Sequence, residues 1–286
     1  MASVALVTDS TACLPPHYIH QYQITVLPFS FIFGDKLYLD DENARHEVFY
    51  RLLEEMGQPP KTSPPSPGAY LDAFTTLARQ HKQILCVTLH SGLSSLYNSA
   101  RTAAQNAMEA NPGLQISVVD SGTASMAAGF VTLAAAEAAE RNATLAEVAQ
   151  AAEEAKKRVQ LIAVLDTLEY LARSRRIPMI AAWAGRLVNM KPLLSITGGS
   201  VKMQGATFSA AGGQRKIIKV IKEKTRGASR KLRIAVVHTD SPAKAQQFKN
   251  HLESELHPKE LLVCPFTPVM GLYTGPGLLG AAYYLE

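Results

Sequence analysis

The chain has 286 residues, 47% of them apolar and 19% charged, a balance that excludes a disordered or fibrous protein. At about 150 residues per domain, the length predicts two domains. The formal net charge of +5 permits an anionic partner without demanding one.

Residues 4–7 form a short apolar run that ends in Thr8-Asp9-Ser10-Thr11. Two later runs end in the same way, 84–89 in His90-Ser91-Gly92-Leu93-Ser94 and 116–119 in Asp120-Ser121-Gly122-Thr123. Helix-forming sequence follows at 96–108 and 126–140, and this alternation predicts a doubly wound, mostly parallel sheet. Between the first two runs, 25–33 and 36–39 are β-rich on either side of Gly34-Asp35, a pair suited to a hairpin turn. Residues 45–56 predict a helix with Val48, Phe49, Leu52, Leu53 and Met56 on one face. Five prolines in 57–68 bracket Lys61-Thr62-Ser63. That segment is extended and stiff, either a plain connector or a loop that fixes Thr62 and Ser63.

The most apolar stretch, 124–136, stops at Glu137, short of the roughly 18 residues a membrane span needs, and predicts a packed helix. Thr144-Leu145-Ala146-Glu147 is a capping box opening a helix to about Arg158. There the domain boundary is expected, with an N-terminal α/β domain at 1–158 and a C-terminal α+β domain at 159–286. In the second part, apolar runs at 161–165, 193–196, 234–237, 261–264 and 278–285, with short connections at Gly198-Gly199 and Gly205, predict a more antiparallel sheet. Residues 215–233 hold nine Lys or Arg against the single acid Glu223. They predict an amphipathic helix followed by a basic loop, a solvated face or a dock for an acidic protein. No aromatic residues interleave the charges, so no nucleic-acid partner is expected. The start lacks a basic leader and meets Asp9 early, which predicts a cytoplasmic protein. Cys13, Cys86 and Cys264 form no Cys-x-x-Cys and are expected as buried thiols.

Ligands of doubly wound sheets lie beyond the carboxyl ends of the strands, where all three polar turns fall. Hydroxyls and glycines with few bases suit holding a small anion better than cleaving a bond, although the same residues also suit helix caps. The catalytic alternative is an acyl-ester hydrolase using Ser94, with His90 or His238 as base. Against it, Gly92-Leu93-Ser94-Ser95-Leu96 lacks the second glycine of a Gly-x-Ser-x-Gly elbow. Thr274-Gly275-Pro276-Gly277 is not a Walker A loop, and no spacing suits a metal, so neither cofactor nor metal is expected.

Seven stretches in order resemble the DegV family of bacterial fatty-acid-binding proteins. These are Thr8-Asp9-Ser10, Lys61-Thr62-Ser63-Pro64-Pro65-Ser66, Ser91-Gly92-Leu93-Ser94 with Tyr97, Asp120-Ser121, Leu168-Glu169-Tyr170-Leu171 leading to Arg176-Ile177, Asn189-Met190-Lys191-Pro192-Leu193-Leu194, and Thr274-Gly275-Pro276-Gly277. The resemblance implies two domains with a lipid buried between them, no catalysis by this chain, and a separate fatty acid kinase that phosphorylates the lipid carboxyl. It also implies a carboxylate held by Thr62 and Ser94, with Ser63, Gly92, Tyr273 and Thr274 completing the site. Ser91, Leu93, Ser121 and Arg176 are further contacts to lipid or partner. The chain departs from the family pattern at Tyr273, where the family usually has His, at Ser95-Leu96 in place of Gly-Thr, and at Ser174-Arg175 in place of Gly-Gly.

Overall fold

A computed structural model of the chain describes residues 3–33, 36–41, 49–50, 61–177, 179–180, 183, 190–226, 228 and 231–286. The first part supplies β1 (Val4–Asp9), β2 (Thr25–Leu27), β3 (Ser30–Phe33), β4 (Lys36–Leu39), β5 (Lys61–Ser63), β6 (Gln83–Thr88) and β7 (Gln115–Asp120). They form a parallel sheet of order β2-β1-β6-β7 and a small antiparallel sheet of order β4-β3-β5. The second part supplies β8 (Val159–Val164), β9 (Lys191–Thr197), β10 (Ser200–Thr207), β11 (Leu232–His238), β12 (Glu260–Pro265) and β13 (Leu279–Leu285). These make one sheet of order β10-β9-β8-β13-β11-β12, antiparallel throughout except for β11 and β12. That parallel pair is joined by the helix Pro242–Leu256, since parallel neighbours need a crossover.

The two large sheets face each other across the helix Ser125–Glu140. Its sequence is apolar on all sides, and such a helix must be covered all round. It is: every residue but Glu137 and Glu140 is buried, with β1 and β6 on one flank and β8, β11 and β13 on the other. Small side chains let the strands come close. A Cβ on Gly129 would sit 2.9 Å from the Ala12 carbonyl oxygen. Glu137 reaches the buried Arg233, which also holds Glu260 and so ties the helix to the far sheet.

Period-two alternation sorts β8 in the same way. Leu161, Ala163 and Leu165 point toward the helix layer, while Ile162 and Val164 pack under the helices Ala210–Thr225 and Pro242–Leu256. The helix Ala210–Thr225 starts earlier than its basic residues suggest, because Ser209 accepts a capping bond from the Gly212 N–H. Ile217, Ile218 and Ile221 are buried beneath it. On its outer side Lys219 and Lys222 pair with Glu223 and Glu255.

Other expectations change in detail. The 25–33 run is two strands, β2 and β3, with Pro28 between them, a residue without an N–H to extend a ladder. The proline-bracketed Lys61–Ser63 is not a bare connector but strand β5, paired with β3. Gly198-Gly199 turns the β9–β10 hairpin, whereas Gly205 lies inside β10 at a register shift, a bulge rather than a connection. The expected turn Gly34-Asp35 and most of the expected helix 45–56 lie outside the described residues; Phe49 and Tyr50 are helical. The capping box at Thr144 and Glu147 is formed, and the three cysteines are free and buried.

Two measurements test this packing. Gly129→Ala is expected to lower stability by about 1–3 kcal/mol in urea unfolding, the reverse of the roughly 0.5–1 kcal/mol gain at an open helix site; a stabilised variant would contradict the close approach. Burial pushes the Cys13 thiol up to about 12 and raises Cys86 and Cys264 as well. A thiol reagent at pH 8 should therefore modify none of them until the protein is unfolded.

Candidate functional site

The polar turns at the carboxyl edge of the parallel sheet bind first to one another. Asp9, at the end of β1, accepts the N–H groups of Thr11 (3.0 Å) and Leu89 (2.9 Å), so the first two turns share one carboxylate. It is fully buried, and desolvation raises its pKa although those hydrogen bonds oppose the shift. Asp120 closes the third turn. Partial burial works against its charge, but the neighbouring His90 ring and hydrogen bonds from Ser91 and the Gly122 N–H outweigh this and hold its carboxyl well below the usual carboxylate range. The Gly199 N–H donates to the Gly122 carbonyl at 3.0 Å, docking the tip of the β9–β10 hairpin on this edge beside His90. Ser121 donates to the Thr123 carbonyl, and Ser91 and Gly92 are exposed. These three stand in the loop framework and do not line the cavity described next.

Between that edge and the six-stranded sheet lies a largely apolar cavity, partly open to solvent. Leu161, Leu165, Leu194 and Ile196 of the large sheet form one wall, and Phe29, Leu89 and Ala124 stand opposite. The helix Pro268–Thr274 adds Val269, Met270, Tyr273 and Thr274. Most of the lining is hydrocarbon; the lining hydroxyls of Thr11 and Ser195 are held by Asp9 and Gln204, and the charged group is Arg176. Its Nη1 donates to the Leu93 carbonyl at 2.7 Å, and its guanidinium lies 4.5 Å from the centre of the Tyr273 ring, a cation–π contact. The Tyr273 hydroxyl is in turn 2.5 Å from the Thr62 hydroxyl. Thr62, Arg176, Tyr273 and Thr274 are all half-buried, so this polar end reaches solvent.

Four elements far apart in sequence thus converge: β5, the loop after β6, the segment after the helix Glu169–Ser174, and the helix Pro268–Thr274. Thr62, Leu93, Arg176 and Tyr273 are joined by direct contacts, with Thr274 on the same wall. Ser94 follows Leu93 and is half-buried. Ser63 goes elsewhere: neighbours on a strand face opposite ways, and Ser63 pairs with Ser30 on the exposed side. The turn Thr274-Gly275-Pro276-Gly277 is held by Thr239, which donates to the Gly275 carbonyl and accepts the Leu278 N–H. Gly275 has φ +73°, and a Cβ there would meet the Tyr170 ring at 2.3 Å, so two of the sequence motifs touch at a point only glycine fits.

Sequence reasoning missed Asp40. This buried carboxylate accepts the Ser10 hydroxyl (2.6 Å) and the Val269 N–H (3.0 Å), anchoring the start of the helix that carries Tyr273. Its only signal was an acid directly after a β-rich run. The hydrolase geometry finds no support. The His90 ring accepts the Gly92 N–H and lies beside Asp120, and His238, at the end of β11, accepts the Ser241 N–H. Among the described residues no group of three His, Cys, Asp or Glu can hold a metal ion, and no helix is long and apolar enough to cross a membrane.

A cavity of hydrocarbon with a fixed cation, a phenol and hydroxyls at one end suits a long amphiphile with an anionic head. Comparison with known proteins agrees with that shape. A DegV domain-containing protein of Streptomyces coelicolor is 31% identical over 279 residues, covering 97% of this chain and 96% of its own. Among solved structures, a DegV family protein of Thermus thermophilus described for its fatty acid binding is 28% identical, with a TM-score of 0.89 over 100% of both chains. A DegV lipid binding protein of Thermotoga maritima is 26% identical, with a TM-score of 0.87 over 99% of this chain and 98% of its own. The family model described as "Uncharacterised protein, DegV family" matches residues 3–286, and the chain therefore belongs to the DegV family.

Proposed function

We propose that this protein is a cytoplasmic, non-catalytic carrier that binds one long-chain fatty acid and presents its carboxylate to a separate fatty acid kinase for phosphorylation. In this reading the chain has two domains, 1–158 and 159–286, and the acyl tail lies in a tunnel between them. The observation that carries the reading is the apolar cavity lined at its polar end by Arg176, Tyr273 and Thr274, with Thr62 behind the Tyr273 hydroxyl. Fatty acid and lipid binding in the Thermus thermophilus and Thermotoga maritima relatives supports it.

The energetics divide the work. At about 0.8 kcal/mol per buried CH₂, some 14 methylenes contribute on the order of 11 kcal/mol before the entropy cost of binding. The tail supplies affinity. A carboxylate taken out of water costs several kcal/mol unless it is hydrogen-bonded, so the head-group residues chiefly offset that penalty and fix orientation. Arg176 suits this role, because a guanidinium keeps its charge and has more N–H donors than the single one given to Leu93. Thr62 and Ser94 bring neutral hydroxyls, and Tyr273 brings a phenol.

Native mass spectrometry of the purified protein, followed by lipid extraction, tests the reading: a mass higher by one fatty acid is expected, and an apo mass that never shifts with added fatty acids contradicts it. Thr62→Ala and Ser94→Ala should each weaken fatty acid binding by about 1–3 kcal/mol in a displacement titration, and unchanged affinity in both would remove the proposed head-group site. Val201 also lines the cavity, and Val201→Trp, which fills the space beside it, should weaken an 18-carbon acid at least tenfold. Unchanged affinity would place the tail elsewhere.

A further inference from the structure

The small sheet β4-β3-β5 meets the polar end of the cavity through Thr62, which touches Tyr273, and its other side faces solvent. Register sorts its side chains into rows across the strands. Tyr38, Phe31 and Thr62 form one row, in which Tyr38 stacks on Phe31 and Thr62 reaches Tyr273. The rows on either side, Leu37-Ile32-Lys61 and Leu39-Ser30-Ser63, point the opposite way. There Leu37 is 66% exposed, Leu39 48% and Ile32 41%. Single exposed leucines are ordinary. Three large aliphatic side chains on one face of a short sheet, with β4 at its edge, are a feature that proteins otherwise suppress.

We propose that this outer face is where the fatty acid kinase docks, an assignment that rests on the carrier reading above and names the surface it uses. Position favours that occupant. An enzyme that transfers a phosphoryl group to the lipid carboxyl must cover the ground around Thr62, and at about 4.8 Å per strand β4 lies roughly 10 Å from β5. Size favours it as well. The three side chains offer roughly 300 Å² of apolar surface, in the range of functional patches and well below the about 800 Å² per partner of a stable dimer. A carrier must leave its enzyme after each transfer, and a small patch allows that. Charge is consistent: the exposed Lys61 shares the row of Ile32 and Leu37, placing a cation where an enzyme would bring a nucleotide triphosphate. The face is also tied to the site from behind. Asp40 follows β4 directly and holds the first turn of the helix bearing Tyr273.

The test uses the full chain carrying the double substitution Leu37→Asp and Leu39→Asp, and separately Ile32→Lys in case the double variant fails to fold. Each is loaded with oleate and offered to the fatty acid kinase of the same organism with ATP and Mg²⁺. The expected result is a wild-type lipid load by native mass spectrometry, an unchanged kcat, and a KM for the carrier raised at least tenfold. A lipid-loaded variant with wild-type KM overturns the assignment. So does a variant whose only defect is slower oleate exchange with phosphatidylglycerol vesicles, since the face would then serve a membrane, and so does a wild-type dimer in sedimentation that the substitutions dissociate. Wild-type protein that carries oleate but is never a substrate of the kinase overturns the presentation reading itself, and the docking surface with it.

Discussion

A helix buried at every residue but Glu137 and Glu140 needs cover on every side, and Ser125–Glu140 obtains it by standing between two sheets. The rest of the architecture follows from that requirement. The helix holds the sheets about one helix diameter, roughly 10 Å, apart, and it does not run the full length of the gap. At its N-terminal end, where Ala124 lines the cavity, the space between the sheets is walled by side chains of β8 and β9 and by the loops at the carboxyl edge of the parallel sheet. The cavity is the unfilled remainder of the layer that the helix occupies. Arg233, itself buried, fixes the helix to the far sheet through the half-buried Glu137 and Glu260.

Affinity and recognition are drawn from different parts of the molecule. One hydrocarbon wall belongs to β8 and β9, whose alternation is set by sheet packing, so it is unspecific in detail. The polar end is assembled from loops and two short helices, each fixed by a buried group behind it: Asp9 for the first two turns, Asp40 for the helix bearing Tyr273, and Thr239 for the glycine turn. Buried carboxylates are costly unless hydrogen-bonded, and both Asp9 and Asp40 accept backbone N–H groups. Their burial converts loop ends into fixed geometry. In the proposed carrier, Arg176 gives the lipid head a charge to meet, and the Tyr273 ring beneath it keeps that charge in place.

Much of this was legible in the sequence, for physical reasons that differ from place to place. The three parallel strands and their polar turns showed because apolar runs ending in Asp, Ser and Gly have one common use in α/β sheets. Thr62, Arg176 and Tyr273 were picked out by family resemblance, yet nothing in their spacing reveals that one phenol joins the hydroxyl of Thr62 to the cation of Arg176. Ser63 illustrates the limit: beside Thr62 in sequence, it is turned away by the two-residue period of β5. That period cannot be applied to Lys61–Ser63 as a connector or a proline-braced loop, the two readings its composition allows. The strand β10 went unread because its apolar residues alternate with Lys202 and Gln204 and a bulge at Gly205 breaks the pattern. Asp40 was invisible because its role depends on a partner more than two hundred residues away.

The central claim is that the space beyond the N-terminal end of Ser125–Glu140 holds an acyl chain. A crystal structure of the protein with a fatty acid carrying bromine at mid-chain addresses it directly. The account requires an anomalous peak between Leu161, Leu194 and Val201, with carboxylate density against Arg176 and Thr62. A peak on the outer surface, or unoccupied walls at saturating fatty acid, would contradict it.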